Sequence, residues 1–136
     1  MKFHHLGLVV ATLEQGRRYC EDVLGIHDFS EAIEDPVQRV WVQFCEDDSG
    51  LRYELVAPAT DDSPVKQALS RKQNILNHLA YGVADLTAEA ERLRRLRHMP
   101  VTQPAPAVAF NGARIQFFLS PLGHLVELIE QESHHG

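Results

Sequence analysis

Residues 3–13 read FHHLGLVVATL and residues 76–86 read LNHLAYGVADL. Laid one on the other at an offset of 73, His5 falls on His78, Leu6 on Leu79, Val10 on Val83, Ala11 on Ala84 and Leu13 on Leu86. The same offset sets Gln43-Phe44 on Gln116-Phe117 and Glu54-Leu55 on Glu127-Leu128. One register held through three separated segments marks an internal repeat. The chain of 136 residues is read as one domain made of two copies of a module, about 1–62 and 63–136.

Both copies predict the same elements. Phe3–Val10 is an apolar, β-rich run, hence a strand. Thr12 is placed to cap a helix over about Leu13–Leu24, with Tyr19, Val23 and Leu24 as its apolar stripe and Gly25 as its end. Strands are predicted at about Ile26–Ile33, Arg39–Cys45 and Leu51–Val56, the last two joined by a turn at DDSG. ATDDSP is turn-forming linker, and Val65–Arg71 a short connecting helix. The second copy has a strand at Leu76–Val83, then a helix over about Thr87–His98 capped by Asp85 or Thr87. TQPAPAVAF reads as irregular edge strand and loop, and Asn111-Gly112 as a hairpin turn. Strands Ala113–Leu119 and His124–Glu130 follow, joined by SPLG. Each module is βαβββ and the fold class is α+β.

Composition narrows the function. A formal net charge of -6 opposes general nucleic-acid binding, which needs a basic surface. The two cysteines, Cys20 and Cys45, form no C-x-x-C pair and read as free thiols. No apolar run has the length of a membrane span, and the N-terminus lacks a signal-peptide plan. The expectation is a cytoplasmic protein with a small-molecule substrate, no nucleic-acid or membrane partner, and a homodimeric assembly.

The repeated polar residues carry the chemistry. Leu6/Leu79 and Leu13/Leu86 need only a core to explain them; His5/His78 and Glu54/Glu127 need more. A histidine alone on an apolar strand is usually structural, and a glutamate alone in YELV or VELI usually faces solvent. Repeated together, and paired about a pseudo-twofold, two imidazoles and two carboxylates would meet, and a divalent cation would remove the cost of burying the charges. Strand alternation puts His5 with Gly7 and Val9, and His78 with Ala80 and Gly82. The small residues should leave open space for a substrate.

The stretch HHLGLVVATLEQGRRYCEDVLGI resembles the opening of the vicinal oxygen chelate superfamily, which includes glyoxalase I, methylmalonyl-CoA epimerase, extradiol dioxygenases and fosfomycin or bleomycin resistance proteins. The likeness covers almost the whole chain. It implies paired βαβββ modules forming a curved mixed sheet around a metal cleft. The family's ligand positions fall on His5, Glu54, His78 and Glu127. An N/O donor set of this kind suits Ni, Co, Mn, Zn or Fe(II). The implied chemistry is chelation of neighbouring substrate oxygens and stabilisation of an enediolate after proton removal next to a carbonyl. Glu127 is the first choice of base and Glu54 the second.

VQRVWVQFCEDDSGLRYELVAPATDDSPV and SPVKQALSRKQNILNHLAYGV resemble the epimerase branch. The departures are Val42, where the second epimerase base would stand, Glu54 in place of a glutamine ligand, and LSP at 119–121 in place of HPK. Val9 replaces the arginine by which glyoxalase I grips glutathione, so glutathione is not expected. The expected function is a metal-dependent isomerase or lyase acting on a 2-oxo or acyl-thioester substrate. Its alternatives are an Fe(II) extradiol-type dioxygenase, for which Glu54 would be superfluous, and a non-catalytic drug-binding protein, which typically lacks the ligands kept here. Whether the modules pair within a chain or swap between chains of a dimer is left open.

Weaker candidates are Trp41, Phe110 and Phe118 as pocket aromatics, and Arg114 and Gln116 as contacts to a substrate carboxylate or simply an exposed sheet face. Arg92, Arg94, Arg95 and Arg97 read as a solvated helix face or a phosphate contact. His124 is placed near the site or in a turn. His4, matched by Asn77, is read as structural, and His134 and His135 as tail residues outside the ligand set.

Overall fold

A computed structural model describes residues 1–71 and 76–131. His134 and His135 lie outside the described residues. The chain divides into two compact units, one of His5–Asn77 and one of Met1–His4 with His78–Gly136. No described helix is long and apolar enough to cross a membrane.

In the first unit the elements are β1 (Lys2–Val9, its first residues belonging to the other unit), α1 (Leu13–Leu24), β2 (Ile33–Asp35), β3 (Val40–Glu46), β4 (Arg52–Pro58) and α2 (Lys66–Arg71). The strand order is β2-β3-β4-β1. β1 runs parallel to β4, with Gly7 opposite Glu54, and β3 runs antiparallel to β4, with Phe44 opposite Glu54. In the second unit β5 (Leu76–Val83, its first two residues belonging to the first unit) is followed by α3 (Leu86–Arg95), β6 (Met99–Pro100), β7 (Ala105–Pro106), β8 (Arg114–Leu119) and β9 (Leu125–Glu130). β5 is parallel to β9, with Ala80 opposite Glu127; β8 is antiparallel to β9, with Phe117 opposite Glu127. The fold is α+β, and the sequence offset of 73 is also the offset of the strand pairings.

The helix starts obey the same register. Thr12 Oγ1 accepts the Gln15 N–H at 3.1 Å and Asp85 Oδ1 accepts the Ala88 N–H at 3.1 Å, so Asp85 rather than Thr87 is the cap. The DDSG turn closes through Asp47, whose carboxylate takes the N–H groups of Ser49 and Leu51.

Three expectations change. The buried face of α1 is Gly16 and Cys20, whereas Tyr19 and Val23 are 53% and 60% exposed. Gly16 causes this: a Cβ there would lie 3.0 Å from Val10 and 3.2 Å from Leu55, so its absence lets the helix settle on that side. The strand expected at Ile26–Ile33 shrinks to Ile33–Asp35 plus a single bridge from Phe29 to Cys45. Ile26 instead joins Cys20, Cys45 and Leu55 in the core. α3 ends at Arg95, short of His98, because Arg97 turns left-handed at φ 65°.

One face of each sheet packs under its helix. In the first unit this is Leu8, Val10 and Leu55 with Cys20; in the second it is Phe118, Val126 and Leu128 with Leu86, Ala90 and Leu93. The opposite faces carry the histidines and glutamates.

Candidate functional site

Each unit places one histidine and one glutamate on its helix-free face by the same construction. The glutamate lies on the last strand, opposite a small residue of the first: Gly7 for Glu54 and Ala80 for Glu127. The histidine stands two residues before that small residue, on the same face. His5 Nε2 lies 3.5 Å from Glu54 Oε1, and His78 Nε2 lies 3.1 Å from Glu127 Oε1. All four are buried, with exposures of 0% for His5, 6% for Glu54, 4% for His78 and 2% for Glu127.

These spacings suit shared coordination. Two donors each about 2.1 Å from one ion, at right angles to each other, are about 3 Å apart. Each residue offers a nitrogen or oxygen donor, and an imidazole–carboxylate set is borderline in hardness, which fits first-row divalent ions. Burying a carboxylate is costly unless its charge is compensated, and a carboxylate buried beside an imidazole in both units is an environment that a divalent cation would favour.

Around each pair the face is apolar. Val42 is 4% exposed and lies between Ile33 and Val56, so no titratable group occupies the third-strand position. Its counterpart Ile115 is buried as well. Val9, four residues along β1 on the same face as His5, is fully buried and offers no cation. The open space expected beside His78 is absent within its own unit. Ala80 is fully buried in a cluster with Ala107, Ile115, Ile129 and Phe110, and the space where a Gly82 Cβ would stand is taken by the Gln131 side chain.

Several candidates lie elsewhere. Trp41 projects to the other side of β3 from Glu54, and Phe118 is fully buried under α3. Phe110 does lie on the His78 face, where it meets His4 edge-to-face at 5.4 Å. Arg114 is held by Glu130 through bonds of 3.1 and 3.0 Å. Gln116 is not on an exposed face: it is 1% exposed and donates to the Thr102 carbonyl at 2.9 Å. His124 follows the SPLG turn, and its Nδ1 lies 2.9 Å from Ser120 Oγ at the start of the turn. Arg92 pairs with Glu89 along α3. Burial pushes the Cys45 thiol up to about 12, with the neighbouring Cys20 adding to the rise, and burial raises Cys20 too. Neither thiol is a nucleophile near neutrality.

Residues missed as site components are Phe44 and Phe117. Phe44 meets His5 edge-to-face with ring centroids 5.6 Å apart, and Phe117 meets His78 in the same way at 5.3 Å. The signal was in the repeat, where Gln43-Phe44 and Gln116-Phe117 stand in the register of the histidines.

The sequence profile described as glyoxalase/bleomycin resistance protein/dioxygenase superfamily matches residues 4–117. A Bacillus subtilis (strain 168) protein, the uncharacterised YqjC, is 33% identical over 133 residues, covering 95% of this chain and 91% of its own. Among solved structures, the hypothetical protein BH1468 of Bacillus halodurans C-125 superposes with a TM-score of 0.82 at 21% identity, over 99% of this chain and 97% of that one. Methylmalonyl-CoA epimerase of Mycobacterium tuberculosis superposes with a TM-score of 0.78 at 25% identity, over 97% and 89% of the two chains.

Proposed function

Since the chain belongs to the glyoxalase/bleomycin resistance protein/dioxygenase superfamily, we propose that it is a metal-dependent isomerase or lyase of the glyoxalase/methylmalonyl-CoA epimerase type. His5, Glu54, His78 and Glu127 would together hold one divalent ion. The observation that carries this reading is the twin construction: a buried His–Glu pair with donors 3.5 or 3.1 Å apart at the same place in both modules. Core packing alone does not ask for the same two ionisable residues twice.

Bound there, a divalent ion would supply Lewis acidity to a substrate carbonyl or thioester oxygen, favouring charge on the oxygens of an enediolate when the neighbouring carbon loses its proton. The chain's own part is the proton. Glu127 is proposed as the base, with Glu54 second, since a positioned carboxylate can accept a proton next to a carbonyl. Val42 and Ile115 leave those third-strand positions without a base. Removal and return of the proton by one carboxylate therefore fits better than inversion between two opposed bases. The apolar faces suit a compact 2-oxo acid derivative or acyl thioester. The likeness to an epimerase at 25% identity supports the thioester branch.

Metal analysis of the purified protein, with His5→Ala and Glu127→Ala beside it, tests the site. Wild-type protein that contains no divalent metal and gains no melting temperature with Ni, Co, Mn or Zn refutes the reading. Deuterium uptake at the α-carbon of methylmalonyl-CoA separates the branches: uptake is expected for the thioester branch, and its absence there removes that branch. We also propose a homodimer, which sedimentation at a single-chain mass would refute.

A further inference from the structure

We infer that the Gln–Phe dipeptide of each module is a positioning device for its histidine ligand, Phe44 for His5 and Phe117 for His78. The inference rests on the metal reading above and names what makes the two imidazoles competent.

A histidine on a strand has two side-chain torsions, and only part of that range aims Nε2 at a neighbouring carboxylate. In each unit one phenylalanine narrows the range. The Phe44 ring stands at 78° to His5 with centroids 5.6 Å apart, and the Phe117 ring at 89° to His78 with centroids 5.3 Å apart. Such edge-to-face pairs are directional contacts. Each phenylalanine also lies directly across the ladder from the glutamate of its pair, Phe44 from Glu54 and Phe117 from Glu127. One residue thus fixes the ring while its strand partner supplies the second ligand.

The phenylalanines are themselves held. The Phe44 N–H donates to Ser30 Oγ at 2.9 Å, and the Phe117 N–H donates to Thr102 Oγ1 at 3.0 Å. The preceding glutamine, pointing to the other side of the sheet, donates to the carbonyl of that same serine or threonine: Gln43 to Ser30 at 2.6 Å and Gln116 to Thr102 at 2.9 Å. Each Gln–Phe pair therefore grips one edge residue by both its hydroxyl and its carbonyl. The grip survives a one-residue slip in the repeat, since Ser30 to Thr102 is an offset of 72 rather than 73.

Simple core filling does not account for this. At the offset of 73 several neighbouring apolar positions change identity, Leu8 to Tyr81, Val42 to Ile115, Cys45 to Phe118 and Val56 to Ile129, although Leu6 and Leu55 are kept as Leu79 and Leu128. Glutamine and phenylalanine do not change, and neither do the histidine and glutamate they adjoin. Groups that orient metal ligands typically govern affinity by about 10- to 100-fold, and a ring contact without a hydrogen bond belongs at the lower end.

The test is a Co(II) titration of metal-free protein followed by visible absorption, which reports both affinity and ligand geometry. Wild type is compared with Phe44→Leu, Phe117→Leu, Phe44→Tyr and Phe117→Tyr. The Leu variants are expected to bind about tenfold more weakly with altered d–d bands. The Tyr variants, which keep the ring, should match wild type in both. Leu variants with wild-type affinity and spectrum overturn the inference, as does an equal loss in the Tyr variants, which would show a packing role. Should a Leu variant fail to fold, Phe44→Met and Phe117→Met are read by the same criteria. Wild type that binds no Co(II) overturns the metal reading before any variant is compared, so the two failures are distinct.

Discussion

Glu54 and Glu127 each sit between a small residue on one neighbouring strand and a phenylalanine on the other, and each faces a histidine nitrogen. Equivalent placement need not mean equivalent work. If Glu127 is the base, Glu127→Gln keeps an oxygen donor but loses the proton acceptor. Solvent-proton exchange into substrate should then fall by about 10²- to 10⁴-fold, with a smaller loss in Glu54→Gln; proton NMR of exchange in D₂O measures both. Equal losses would assign the base to neither glutamate in particular. The two opening histidines separate at this scale too. His5 is fully buried and faces Glu54, while His4 is half-buried against Phe110. The proposed chemistry therefore falls to His5, while His4 packs against Phe110, as strand alternation allows.

The helices show where matched modules diverge. α1 ends on Gly25 at φ 68°, a conformation glycine adopts without strain. Two residues past the end of α3, Arg97 stands at φ 65°, where a side chain is disfavoured by about 1–2 kcal/mol. Arg97→Gly should raise stability by part of that amount, about 0.5–1 kcal/mol after the extra unfolded-state entropy of glycine, read as a higher urea midpoint at unchanged slope. The start of α3 has a pH-sensitive support. Arg114 holds the Glu130 carboxyl below its ordinary range, helped by the Leu86 N–H that it accepts at 2.9 Å. A lowered folded-state value means the contribution is complete above the unfolded value near 4.5 and is lost as pH falls through the folded one. Glu130→Gln should cost about 0.5–1 kcal/mol at pH 7, the pair being partly exposed and screened. The cost should shrink progressively as pH falls below 4.5, as thermal melts across that range would show.

At the scale of the whole chain, the proposed metal ion would tie its binding to the folded state as a whole. Binding to the folded state alone adds about 2.7 kcal/mol at a free concentration one hundred times Kd. For a domain of this length that corresponds to roughly 8–12 °C in melting temperature. The expected result is a concentration-dependent rise on adding the preferred metal, reversed by a chelator and absent in His78→Ala. A shift that persists in His78→Ala would place the stabilising ion elsewhere. The two cysteines take no part in this, since burial keeps both thiols protonated near neutrality.

Much of this molecule was readable without coordinates because it is written twice. The offset of 73 picked out the two His–Glu pairs, and Thr12 capping α1 is a local pattern that a few neighbouring residues decide. What stayed hidden depended on partners distant in sequence. Tyr19 and Val23 looked like the buried stripe of α1, but Gly16 brings the other side of the helix onto Val10 and Leu55. The second strand of the first module is shorter than its β-rich run suggests, since the Phe44 N–H donates to the Ser30 hydroxyl oxygen rather than to a backbone carbonyl. Gln116 passed for a surface residue until its carbonyl partner at Thr102 was seen, and the space expected beside His78 is filled by Ala107, Phe110 and Gln131. Periodicity and capping are settled within a turn of chain, so sequence states them. Which face is buried, and what fills the space beside a ligand, is settled by side chains arriving from elsewhere, so only the packed fold decides it.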